Sequence, residues 1–155
     1  MDSSKTGTAE TASLIIREME IADLGQVCDL EKEIFSLPWS RDGFLYSMNS
    51  PYEICLAAHL GKTIAGYAVL MISFDEGTIS NIAVGEAFRG QGIGERLLKE
   101  LISRGNEKSA ERFTLEVRVS NEPAISLYRK FGFESVGVRR GFYEKPREDA
   151  LIMWK

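Results

Sequence analysis

The chain has 155 residues, a hydrophobic fraction of 44%, a charged fraction of 27% and a net charge of −4. That length lets one domain bury a core without disulfides or metals, and the composition excludes wholesale disorder. The acidic balance argues against a protein that holds nucleic acid by bulk electrostatics, and two cysteines (Cys28, Cys55) with one histidine (His59) fall short of a zinc ligand set.

Residues 1–13, MDSSKTGTAETAS, are small and polar and lack the apolar core of a signal peptide, so they read as a disordered tail. No apolar run approaches a membrane span. With low cysteine use, this gives the expectation of a cytoplasmic protein without a membrane or metal partner. Leu14–Glu18 is a first strand. Asp23 is placed to cap a helix in which Leu24, Val27, Cys28, Leu30, Ile34 and Phe35 recur at helical spacing, and Pro38 ends it. Ser40 caps a second short helix running through Met48.

The runs 52–60 and 63–72 flank Gly61-Lys62, a hairpin signal, and Asp75-Glu76-Gly77 is expected to form the next turn before a strand over 78–84. Residues 88–94, Phe-Arg-Gly-Gln-Gly-Ile-Gly, then open directly into a helix reaching about Lys108, with Ile93, Leu97, Leu98, Leu101 and Ile102 as its apolar stripe. A strand over 112–119 follows. Asn121 caps a further helix that Gly132 ends, and runs 133–138 and 150–154 are the last strands. The order specifies an α/β domain of the α+β type over residues 14–155. Its sheet is mixed but mostly antiparallel, flanked by helices, with a central parallel strand-helix-strand unit.

Strand, glycine loop and helix together make a phosphate cradle, because a helix N-terminus presents unpaired N–H groups and a dipole that favours anions. The loop is neither a P-loop, since Glu95-Arg96 follows Gly94, nor a dinucleotide fingerprint, since its glycines fall at 90, 92 and 94. On residues alone it reads equally as a tight helix–sheet connection. Glu116 lies in mid-strand on the face of Thr114 and Arg118, opposite Phe113, Leu115 and Val117. It reads either as a solvated residue paired with Arg118 or as a general base. Tyr128 reads as a core tyrosine or as a proton donor.

The Arg89-x-x-Gly92-x-Gly94 pattern after a strand resembles the acetyl-CoA loop of the GNAT acetyltransferase superfamily. Leu115-Glu116-Val117-Arg118-Val119-Ser120-Asn121, Ala124-Ile125, Leu127-Tyr128 and Phe131-Gly132-Phe133 resemble the ribosomal-protein-alanine N-acetyltransferase family within it, as do Leu37-Pro38-Trp39-Ser40 and Glu148-Asp149-Ala150. One departure is Gly141-Phe142-Tyr143, where that family more usually has Asn-Tyr-Tyr.

The resemblance implies acetyl-CoA as cosubstrate. Its pyrophosphate would lie on Arg89, Gly90, Gln91, Gly92, Ile93 and Gly94, and its pantetheine on the backbone of Ile82, Ala83 and Val84 and on Asn121. Arg89, Arg96 and Lys130 are the alternatives for its ribose phosphate. The resemblance also implies Glu116 as general base, Tyr128 as general acid and the N-terminal alanine of a ribosomal protein as acceptor. Trp39, Glu76 and Tyr143 are the expected lining of the acceptor groove, with the chain a monomer or weak homodimer. The competing readings are an enzyme of this fold acting on a lysine, polyamine or small molecule, and a non-catalytic acetyl-CoA-binding module.

Overall fold

In the computed structural model, which describes residues 13–155, seven strands and four helices are formed among the described residues. The strands are β1 (Leu14–Glu18), β2 (Glu53–Leu60), β3 (Thr63–Ser73), β4 (Glu76–Val84), β5 (Arg112–Arg118), β6 (Glu134–Tyr143) and β7 (Glu148–Trp154). The helices are α1 (Leu24–Ile34), α2 (Arg41–Asn49), α3 (Ile93–Glu107) and α4 (Glu122–Lys130). The tail expected over 1–13 lies outside the described residues except for Ser13.

The strands form one sheet in the order β1-β2-β3-β4-β5-β7-β6. Every neighbouring pair is antiparallel except β4 and β5, which α3 connects. The α/β fold class and its central parallel unit are therefore as the sequence specifies.

Two apolar cores sandwich this sheet. On one face α3 lays Ile93, Leu97, Leu98 and Leu101 against Ala68, Leu70, Phe113 and Leu115, and α4 adds Ile125 and Tyr128. On the other, Leu24 and Val27 of α1 and Phe44 of α2 pack on Tyr67, Val69 and Ala83. β3 is covered on both sides, which is why its sequence is a continuous apolar run rather than an alternation. Small residues at its centre admit α3 closely. A Cβ on Gly66 would lie 2.6 Å from the Ala83 carbonyl oxygen and 3.1 Å from Leu97 Cδ1.

The local signals mostly act as written. Ser40 Oγ accepts the Gly43 N–H at 3.1 Å, and Asn121 Oδ1 accepts the Ala124 N–H at 3.3 Å. Leu60 pairs with Thr63 around Gly61, whose φ is +62°.

Three expectations need correction. Asp23 does not cap α1: its own backbone is already helical (φ −81°, ψ −20°), and its carboxylate instead accepts the Glu20 N–H at 2.8 Å. The turn expected at residues 75–77 is formed by Phe74 and Asp75, because Ser73 already pairs with Glu76. Gly77 serves another purpose there, since a Cβ on it would press on the Phe113 ring at 3.0 Å. The last two strands run longer than the apolar pattern suggests, to Tyr143 and from Glu148, with register shifts that the charged residues and glycines of β6 accommodate.

Gly66→Ala is expected to destabilise the fold by about 3 kcal/mol, the upper range for overpacking, because the obstructing atom is backbone. A urea titration should show a lower midpoint at an unchanged slope; an unchanged midpoint would contradict this account of how closely β4 and α3 approach Gly66.

Candidate active site

β4 and β5 pair only at Glu76–Arg112, Gly77–Phe113 and Thr78–Thr114. Beyond these they part, and on the β3 side the register slips so that Val69 faces Asn81 while Leu70 faces Ile79, leaving Ser80 as a bulge. The resulting gap opens into a cleft of about 620 Å³. The cleft passes through the sheet: Glu31 and Trp39 line it from the α1–α2 side, and Asn121 and Tyr128 from the α4 side. Ile82 lines its β4 wall and Glu116 its β5 wall, while Tyr143 closes it from the end of β6.

Beside the gap, α3 begins at the glycine loop. Gly90 and Gly92 have φ of +79° and +80°, which a side chain would strain. The N-cap, Gly92, supplies no capping side chain, so the first N–H groups of the helix are left for an anionic ligand. The chain thus fits acetyl-CoA in two places, an anion-binding helix start and a strand gap. Arg89 Nε donates to the Val84 carbonyl at 3.1 Å, Arg96 to the Leu14 carbonyl at 3.4 Å, and Lys130 pairs with Glu95 at 2.9 Å.

The polar face of β5 is held by charge. Glu116 Oε2 lies 2.8 Å from Arg139 Nε of β6, an ionic contact without directed hydrogen-bond geometry. Its partner is therefore not Arg118. Arg118 instead donates to the carbonyls of Pro146 at 2.9 Å and Glu144 at 3.1 Å and to Glu148 Oε1 at 3.1 Å, with its guanidinium 4.5 Å from the Tyr143 ring centroid. It thereby clamps the loop that forms one side of the cleft. Hydrogen bonds from Ser120, and then Arg118, hold the Glu148 carboxyl below the usual carboxylate range. Burial, and then the nearby Glu116, raises the Tyr143 phenol. Tyr128 is 6% exposed, and burial pushes its phenol well above the ordinary value, with Tyr143 adding to the shift. It therefore stays protonated and able to donate.

Of the residues singled out in the sequence, the fold brings Trp39, Ile82, Glu116, Asn121, Tyr128 and Tyr143 to this cleft. Ala83 points its side chain into the α1–α2 core, and Val84 and the glycine loop flank the gap rather than line it. Glu76 sits at the opposite end of β4, in register with Arg112, and is not among the lining residues. Burial pushes the Cys55 thiol up to about 12, so it remains an inert apolar residue.

Sequence reasoning missed Glu31. It is 1% exposed, with Oε1 accepting the Tyr67 hydroxyl at 2.7 Å and the Asn81 amide at 2.9 Å, and Oε2 accepting the Trp39 N–H at 2.9 Å. This one carboxylate ties α1, β3, β4 and the loop carrying Trp39 into a single wall. In the sequence it looks like any glutamate in the charged stretch 29–33; only its place among Val27, Leu30 and Ile34 hints that it faces inward.

A strand gap beside an uncapped helix N-terminus suits a long cosubstrate that ends in phosphates, as an acetyl-CoA-dependent N-acetyltransferase requires. The chain belongs to the acetyltransferase (GNAT) family, which it matches over residues 24–133. It is 40% identical over 140 residues to a putative [ribosomal protein bS18]-alanine N-acetyltransferase of Bacillus subtilis, covering 90% of this chain and 93% of that one. It is 35% identical to the [ribosomal protein bS18]-alanine N-acetyltransferase of Escherichia coli K12, covering 89% and 94%. The crystal structure of the Escherichia coli ribosomal-protein-S18-alanine N-acetyltransferase superposes with a TM-score of 0.83 at 32% identity, covering 91% and 92% of the two chains. No helix among the described residues is long and apolar enough to cross a membrane, and no group of three or more His, Cys, Asp or Glu among them is placed to hold a metal ion.

Glu31→Ala would strand three donors, two of them buried, so it is expected to cost about 3 kcal/mol in chemical denaturation. In the folded fraction it should raise KM for the acceptor more than for acetyl-CoA, because the Trp39 wall loses its anchor. Wild-type stability would refute this role.

Proposed function

We propose that this enzyme transfers acetyl from acetyl-CoA directly to the α-amine of a protein that begins with alanine, ribosomal protein bS18 being the acceptor suggested by its relatives, in the cytoplasm. The observation that carries the chemistry is the convergence of Glu116 and Tyr128 on one cleft at the strand gap from opposite faces of the sheet. The acceptor would approach from the Trp39 and Tyr143 side.

Acetyl-CoA supplies the acetyl group as a thioester, whose carbonyl carbon forms the new C–N bond while its C–S bond breaks. The Glu116 carboxylate, or a water it holds, takes a proton from the acceptor ammonium and passes it to solvent. Tyr128 donates its phenolic proton to the departing sulfur and recovers one from the newly acylated nitrogen. The net products are an amide, a free thiol and one proton.

The demand on the base is small for this acceptor. Freeing an α-amine of pKa roughly 7.7–8.0 at pH 7 costs about 1 kcal/mol, whereas a lysine near 10.4 costs about 4.6 kcal/mol. A carboxylate, or a water it holds, can meet the first demand far more readily than the second. The buried phenol of Tyr128 suits donation, since its raised value keeps the proton in place until the sulfur needs it. Arg118 and Asn121 hold the loop and helix start that flank the reacting atoms.

Free-thiol release should occur with an alanine-starting peptide and not with an N-terminally blocked peptide carrying a lysine; release with the lysine peptide alone would replace the acceptor. Glu116→Gln and Tyr128→Phe should each lower kcat about a hundredfold or more, with little change in KM for acetyl-CoA. Full turnover in either variant would remove that residue from the mechanism.

A further inference from the structure

Glu116 meets the cleft already paired. Its Oε2 is buried, makes no hydrogen bond, and lies 2.8 Å from Arg139 Nε. Other charged or titratable groups face the same region: Arg118 on its own strand, Tyr143 on β6, Tyr128 on α4, and Glu31 on α1 with Lys145 around the cleft. Arg118 is fixed by three hydrogen bonds and a stacked ring. Tyr128 and Tyr143 are neutral phenols held protonated, and both Glu31 oxygens are taken by donors. Arg139 is different. Its side chain is 59% exposed, it comes from the edge strand, and its guanidinium lies 5.9 Å from the half-exposed Phe142 ring. The β6–β7 register breaks directly after it, between Arg139 and Tyr143, where Asp149 Oδ1 holds the Gly141 N–H at 2.8 Å, so the backbone is fixed and the freedom lies in the exposed side chain.

We propose that Arg139 is a resident counter-ion that keeps the acceptor's place on Glu116, swings out when an α-ammonium arrives, and returns when the amine has become a neutral amide. The inference rests on Glu116 being the base. A buried carboxylate oxygen needs a cation, and the guanidinium and the incoming ammonium are interchangeable partners for it. A charged acceptor therefore exchanges one ion pair for another. An uncharged N-terminus displaces Arg139 without replacing the pair. The acetylated product is of the second kind, so the return of Arg139 favours its departure. Arg139 is thus an occupancy and release residue: it weakens acceptor and product alike by the cost of its displacement, leaves the choice between them to Glu116, and does not act on acetyl-CoA.

The test measures binding of an alanine-starting peptide and of its N-acetylated form to CoA-loaded enzyme by calorimetry, for wild type, R139Q, R139K, E116Q and E116Q/R139Q. In R139Q both peptides should bind about two- to fivefold more tightly, the worth of a half-exposed ion pair. The acetylated peptide should then become a stronger product inhibitor, with KM for acetyl-CoA unchanged. R139K should behave as wild type, and R139Q should have no effect in the E116Q background. Weaker or unchanged peptide binding in R139Q would overturn the proposal, as would an equal R139Q effect with Glu116 removed. An E116Q enzyme of full turnover would overturn the base assignment separately, because the R139Q result is read from binding alone.

Discussion

The parting of β4 from β5 is the constraint on which the rest of this protein depends. A parallel pair that stayed hydrogen-bonded would seal the sheet, and no substrate could pass between its faces. Here three residue pairs hold the strands together at one end. Beyond Thr78 and Thr114, β4 follows β3 with Ser80 as a bulge, and β5 follows β7. The gap leaves backbone groups of both strands without ladder partners, which a folded protein tolerates only where another molecule satisfies them. The start of α3 opens beside the same gap, so strand and helix termini offer polar backbone to one ligand.

The same parting explains why a strand in the middle of a sheet carries Glu116 and Arg118. Inside a closed sheet under a helix, their face would be apolar. At the gap it borders a cleft, and both side chains stay within reach of water and of partners on β6 and β7. The two charges are handled differently. Arg118 is consumed in structure, holding the loop after β6 by its carbonyls, whereas Glu116 meets an exposed guanidinium from across β7. Local charge thus fixes the loop wall of the cleft through Arg118 and pairs Glu116 at the other.

Much of this was legible in the sequence wherever the signal was local. Ser40, Asn121 and the glycine loop specify their structures through contacts within a few residues, and the apolar stripe of α3 names its buried face. Glu116 could be placed on the polar side of its strand by alternation alone, but its partner could not, because Arg139 reaches it across β7, a neighbour that only the sheet order supplies. Glu31 was hidden for the same reason: its three donors come from positions 39, 67 and 81. The displaced turn at Phe74 shows the converse, since Gly77 looked like turn chemistry and is instead demanded by the Phe113 ring packed against it.

The cleft is assembled from two stretches of the chain. The match to the acetyltransferase family ends at Phe133, one residue before β6 begins. The matched part carries the strand gap, the glycine loop, Glu116, Tyr128 and the wall that holds Trp39. The β6–β7 hairpin beyond it sets Arg139 against Glu116 and adds Phe142 and Tyr143 to the cleft lining. Arg118 joins the two parts, because it stands on β5 and grips the loop of the hairpin. A substitution in the hairpin therefore alters one end of the cleft while the strand gap and glycine loop stay as they are, whereas a substitution at Arg118 frees that loop from β5.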